Sequence, residues 1–160
     1  MVRGTLVPTV TWEAILNSTE RGGDESAVPL VLREVDSVRK DLVRDFVEGP
    51  DPSTRAPSGT WWELCDPAAP NGQPPDGVVV SVRRSPDVIE LVLFHVAKDA
   101  DAGTATRLVD QLVAMLRRTD AQLICSSIED REAHGTLVSA GFIVVPDRYA
   151  SARELLVLQL

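Results

Sequence analysis

Residues Val88 to Phe142 read VIELVLFHVAKDADAGTATRLVDQLVAMLRRTDAQLICSSIEDREAHGTLVSAGF, and the order of their patterns decides the fold. The opening run, VIELVLFHV, is almost continuously apolar and rich in β-branched and aromatic side chains, which predicts a central strand covered on both faces. A polar loop, KDADAG, follows it. From Gly103 to Arg118 a helix is predicted, because Leu108, Val109, Leu112, Val113 and Leu116 recur on one stripe. Arg117 and Arg118 are expected in its last turn, where positive charge suits the dipole. Gln122 to Ile128 predicts a second strand, and a strand reached through a crossover helix should lie parallel to the first. A short helix over about Arg131 to Ser139 then ends at Gly141, a suitable C′ residue. A strand that passes through a glycine into a helix N-terminus aims several backbone N–H groups at one place, which suits a phosphate.

Around this centre the chain alternates strands and loops. PLVLREV predicts a strand, and Asp36 or Ser37 an N-cap for a helix through Val47, stopped by Gly49-Pro50. TWWELCD and GVVVSVRRS predict an antiparallel hairpin whose long connection, PAAPNGQPPDG, holds four prolines and two glycines and must lie on the surface. FIVVP and ELLVLQL close the chain as two strands around the turn DRYASAR. Residues 1–27, with a possible strand or short helix around Val7 to Leu16, read as an N-terminal extension outside a domain spanning 28–160.

Composition bounds the function classes. A chain of 160 residues suits one domain, and 44% apolar with 25% charged residues is ordinary for a soluble globule. A formal net charge of −8, without a basic arm or patch, argues against nucleic acid and an anionic membrane surface. No run approaches the roughly 18 apolar residues of a membrane helix, so a cytoplasmic location is expected. Cys65 and Cys125 have no metal-ligand spacing and are expected as buried free thiols; no metal site is expected. Lysine occurs only as Lys40 and Lys98, a bias towards arginine that suggests a GC-rich bacterial genome.

The central stretch resembles the acyl-CoA-binding core of the GNAT acyltransferase superfamily. That family's loop reads Arg/Gln-x-x-Gly-x-Gly/Ala, followed later by Asn-x-x-Ala, a tyrosine and Gly-Phe. Gly103 and Ala105 fill the small positions, and Ala133, Gly141 and Phe142 fall at the matching spacings. Ala100 stands where the Arg or Gln is usual, Asp130 where the Asn is usual and Leu137 where the acid tyrosine is usual. The resemblance implies an α/β fold with a mixed, mostly antiparallel sheet of about six or seven strands flanked by helices. It also implies acetyl-CoA or another acyl-CoA as co-substrate, transfer to a small-molecule amine and, for some members, a homodimer. In its terms the strand ending at Val96 would hold the acyl carbonyl. The amides of Ala102, Gly103, Thr104 and Ala105 would surround the pyrophosphate, with Asp130 beside them.

Candidate general bases are His95, Glu90 and Glu63. His95 lies near the end of the central strand, and an ordinary imidazole titrates near enough to neutrality to accept a proton from an amine. Glu90 and His95 are an odd number of residues apart, so in a regular strand they face opposite sides. Tyr149, the sole tyrosine, could reach the site from the final turn as an acid. Asp99 and Asp101 stand where a basic residue would greet phosphate, and Asp101 is placed to cap the helix amides itself. Adjacent Trp61 and Trp62 should face opposite sides of their strand, one to the core and one to a cleft or partner. The alternatives to an N-acyltransferase are a degenerate GNAT domain that binds a ligand or protein partner, and a GNAT-fold enzyme of altered chemistry, such as a decarboxylase or cyclising enzyme.

Overall fold

A computed structural model describes residues 29–48, 57–146 and 154–160. The expected extension 1–27 with its segment Val7 to Leu16, the Gly49-Pro50 stop and Tyr149 lie outside the described residues. Among the described residues seven strands and three helices follow in chain order: β1 (Val31–Glu34), α1 (Lys40–Glu48), β2 (Thr60–Cys65), β3 (Gly77–Ser85), β4 (Val88–Val96), α2 (Thr104–Leu116), β5 (Leu123–Ser126), α3 (Arg131–Ser139), β6 (Ile143–Pro146) and β7 (Glu154–Gln159). They form one sheet in the order β1-β2-β3-β4-β5-β7-β6. β4 and β5 pair in parallel, Val88 with Leu123 through Leu91 with Ser126, and the other pairs are antiparallel. The parallel crossover is as the sequence pattern predicts, and the mixed, mostly antiparallel sheet is as the resemblance implies.

Each face of the sheet carries its own core. On one face α2 and α3 pack Leu108, Val109, Leu112, Leu116 and Leu137 onto Leu64, Val79, Leu91, Ile124 and Leu156. Burying a side chain of this size contributes about 1.5–3 kcal/mol, so the α2 stripe alone outweighs any capping term. On the other face α1 lays Val43, Phe46 and Val47 over Trp61, Val78, Val80, Val92 and Leu93. Trp61 is therefore the core tryptophan. Trp62 turns to the α2 face, donates its indole N–H to Ser81 Oγ at 2.9 Å and borders a shallow hollow with Met115 and Thr119.

Element ends differ from expectation where local hydrogen bonds intervene. Asp36 Oδ1 accepts from the amides of Val38 and Arg39, but it caps a turn, and helical geometry begins at Lys40. α2 stops at Leu116 because the chain tightens there: Arg117 is its C-cap, and Arg118 and Thr119 bond back to Met115 and Leu116. Arg117 and Arg118 thus lie just beyond the last turn. α3 ends as predicted, with Gly141 at φ +101°, a left-handed conformation that favours glycine. Gln111 of α2 reaches the outer edge of the sheet. Its side-chain amide donates to Leu30 O and accepts from Leu32 N–H, both at 2.8 Å, as a neighbouring strand would.

The central strand is not regular. Val80 pairs with Leu93 but Ser81 pairs with Leu91, so Val92 is an extra residue, a β-bulge. The bulge resets side-chain parity. Ile89 and Leu91 before it, and Phe94 and Val96 after it, all meet the α2 face, whereas Val92 and Leu93 both meet the α1 face. Glu90 and His95, which a regular strand would place on opposite sides, consequently share the α1 face.

Candidate active site

Beyond Leu91 and Ser126 the parallel strands separate: β4 continues to Val96, while β5 has ended. The second half of β4 keeps its β3 partner, and its other edge has no strand partner among the described residues. Ala97 N–H donates to Asp76 O on the β3 side at 2.9 Å. Backbone groups alternate along a strand, so the N–H of Val96 points the other way, towards that open edge.

A cleft of about 470 Å³ occupies the gap. Phe94, His95, Val96 and Ala97 form one wall, the 98–102 loop and Ala105 another, and Asp130, Glu132 and Ala133 at the start of α3 the third. The expected cofactor-binding residues Val96, Ala102, Ala105 and Asp130 thus come together, with Gly103 and Thr104 joining Ala102 to Ala105. Gly103 is the N-cap of α2 in ordinary right-handed geometry, and no side chain among the described residues caps the helix. The expected role of Asp101 as a cap is not realised. It is Asp101's backbone carbonyl, at 2.9 Å, that accepts the Thr104 N–H, and its exposed carboxylate lines the cleft. A Cβ added to Gly103 would meet nothing within 4 Å, so packing does not account for glycine at this position. Asp130, by contrast, is committed to its own helix: its Oδ1 accepts the Ala133 N–H at 2.8 Å.

The lining is acidic. Asp101, Asp130 and Glu132 face one cation, Lys98, among the lining residues. Asp76, whose carbonyl holds Ala97, has its carboxyl raised above the usual range, first by burial and then by Asp99, Asp101 and Asp66. The cleft mouth therefore repels anions more than a phosphate site ordinarily would.

His95 lines the cleft, and its ring sits edge-on to Phe46 of α1, centroids 5.0 Å apart at 75°. Burial lowers its pKa below 6.5; the nearby Asp130 carboxylate opposes that and Lys98 adds to it. The lowered pKa favours the neutral imidazole, the form that can accept a proton. Glu90 is mostly enclosed, takes an ion pair from Arg84 and accepts the Ser127 hydroxyl at 3.2 Å. Glu63, the third candidate base, is fully buried and receives Arg39 Nε and Nη2, each at 2.7 Å, and Arg33 Nε at 2.8 Å. Both its oxygens are taken by these donors inside the fold, and Glu63 does not line the cleft. Leu137 is fully buried and has no proton to offer. Both thiols are free; burial raises their pKa first, with Glu63 adding at Cys65 and Glu90 at Cys125.

Sequence reasoning missed Phe94, Ala97, Lys98 and Glu132 as lining residues. Their signal was proximity to Val96 and to the helix start at Asp130. It missed Arg39 and Arg84 too, because one arginine within SVRKDL or SVRRS looks like solvated surface.

No family model and no curated protein sequence matches the chain. Solved structures do match in fold. An acetyltransferase of the GNAT family from Staphylococcus aureus aligns with a TM-score of 0.61 at 12% identity, over 82% of this chain and 99% of that one. An acetyltransferase from Thermus thermophilus aligns at 0.60 and 18% identity, over 82% and 97%. A Bacillus subtilis acetyltransferase, solved in complex with CoA, aligns at 0.59 and 15% identity, over 82% and 98%. At these identities the likeness is one of fold. No helix among the described residues is long and apolar enough to cross a membrane.

Proposed function

We propose that this chain, which has the GNAT fold, is an acyl-CoA-dependent N-acyltransferase that passes an acyl group, acetyl in the simplest case, directly to a small-molecule amine. The observation that carries the reading is the open edge of β4 facing the uncapped start of α2 across the cleft. An uncapped helix start favours phosphate oxygens through its N–H groups and its dipole. Ala102, Gly103 and Ala105 supply the amides for this role, since that of Thr104 is already bonded. A bound acyl-CoA would supply an activated thioester carbonyl. The chain's part is to direct the Val96 N–H at the oxygen where negative charge develops and to take the proton from the attacking amine at His95. Glu90 lies roughly 15 Å from His95 along the strand. Held there by Arg84 and Ser127, on the same face but away from the cleft lining, it takes no part in the proton transfer at His95. The departing thiolate takes its proton from solvent or from Tyr149, since Leu137 cannot give one.

A second reading is favoured by the acidic lining: a GNAT-fold domain that binds without acyl transfer. Thermal-shift titration with acetyl-CoA separates the two. Ligand at about 100 times its dissociation constant stabilises by about 2.7 kcal/mol, which raises the Tm of a domain this size by roughly 5–10 °C. An unmoved Tm at millimolar acetyl-CoA favours the second reading. Release of CoA thiol with an amine panel then tests transfer.

A further inference from the structure

Arg39 is 5% exposed and uses its guanidinium on three partners at once. Nε and Nη2 hold the buried Glu63 carboxylate as a fork, Nη1 donates to Asn71 O and Nη2 also donates to Gln73 O at 2.9 Å. Asn71 and Gln73 belong to the proline-rich connection between β2 and β3, which crosses the cleft end of the sheet. Between Gln73 and Asp76 stand Pro74 and Pro75, two residues of fixed φ, the second buried. Asp76 then pairs on both sides. Its N–H donates to Leu64 O, and its C=O accepts the Ala97 N–H, each at 2.9 Å. The N–H of Ala97 is in turn the bond that leaves the Val96 amide facing the cleft.

We propose that Arg39 is a positioning residue for the cleft: through Gln73, the Pro74-Pro75 strut and Asp76 it fixes the backbone at Ala97 and hence the aim of the Val96 N–H. The role of that N–H in acyl transfer rests on the function proposed above, but the positioning can be read without it. The connection needs such an anchor. Asp76 at the end of the connection is close enough to feel Asp99 and Asp101 of the cleft loop, as well as Asp66 of its own connection, so like charges push Asp76 away from the cleft loop. A buried fork that grips carbonyls as well as a carboxylate holds against that push, which an ammonium with a single point of charge cannot do.

The test is native-state amide exchange on the full chain, comparing Ala97 and Asp76 with Ile124 in β5, together with calorimetry using CoA. Arg39→Lys keeps the charge and loses the fork. Pro74→Gly softens the strut at an exposed position and leaves the ion pair intact, so it stays informative if an Arg39 variant fails to fold. Both are expected to speed exchange at Ala97 by about tenfold relative to Ile124, the scale of coupling seen when a packed network is altered. Both are also expected to weaken CoA several-fold where the parent binds it. Exchange at Ala97 that changes only in step with Ile124 means Arg39 serves global stability, and it overturns the proposal. So does faster exchange at Ala97 with CoA affinity unchanged. A parent that ignores CoA removes the acyl-CoA reading, and Ala97 exchange alone then decides the positioning role.

Discussion

Replacing Gly103 by alanine separates the fold from its ligand. Gly103 has φ −86°, open to any L-residue, and an added Cβ meets no atom within 4 Å, so the unliganded protein accepts the methyl group without strain. Alanine is a poorer N-cap than glycine, but its methyl group also restricts the unfolded chain; each effect is below about 1 kcal/mol and they oppose. The net change in Tm should stay within a few degrees. A phosphate resting on the amides around Gly103 would occupy the space the methyl group takes. Losing one charge-assisted hydrogen bond there costs about 1.5–3 kcal/mol, which is roughly 10- to 150-fold in CoA affinity. Calorimetry with CoA on parent and Gly103→Ala, beside their melting curves, gives both numbers. A variant that folds like the parent and binds CoA as tightly would refute the phosphate site at α2.

Two further outcomes follow from the charges of the cleft. Asp101 is exposed and caps nothing, so Asp101→Arg leaves stability near the parent's and should tighten CoA about fivefold, an effect that fades in high salt; equal affinity at low salt would show that the loop is not near the phosphates. His95→Ala should lower acyl transfer by about a hundredfold or more with little change in CoA affinity. The folded pKa of His95 lies below the 6.5 of the free side chain, so the unfolded chain takes up the proton first. Stability is therefore lost as pH falls through about 6.5 and levels off below the folded pKa. The acid limb of the parent's rate profile should also lie below pH 6.5, and a limb above it would rule out this imidazole as the base.

Elements and topology were legible because the core is patterned: the α2 stripe, the apolar run of β4 and Gly141 each match a single local structure. The bulge at Val92 was not. In LVLF every residue is apolar, so no polar position marks where parity changes, and the facing of Glu90 and His95 was misread as a result. Glu63 looked like a base for the opposite reason. An acid within the apolar strand TWWELC is a sign of burial, and a buried carboxylate requires a cationic partner, but the sequence does not say that Arg39 and Arg33 converge on it. The capping role of Asp101 failed because the backbone carbonyl reached the helix start before the side chain did.

The Gln111 side chain also makes the two ends of the sheet unlike. At β1 the Leu30 C=O and the Leu32 N–H are already engaged by Gln111, and Arg33 and Glu34 put charge beside them, which discourages another strand there. At the opposite end, among the described residues, β6 pairs only with β7 and exposes Ile143 and Val144. Growth of this sheet by added strands, in strand exchange or in a fibre, would start from β6, and a charged residue at Ile143 would be the change that arrests it.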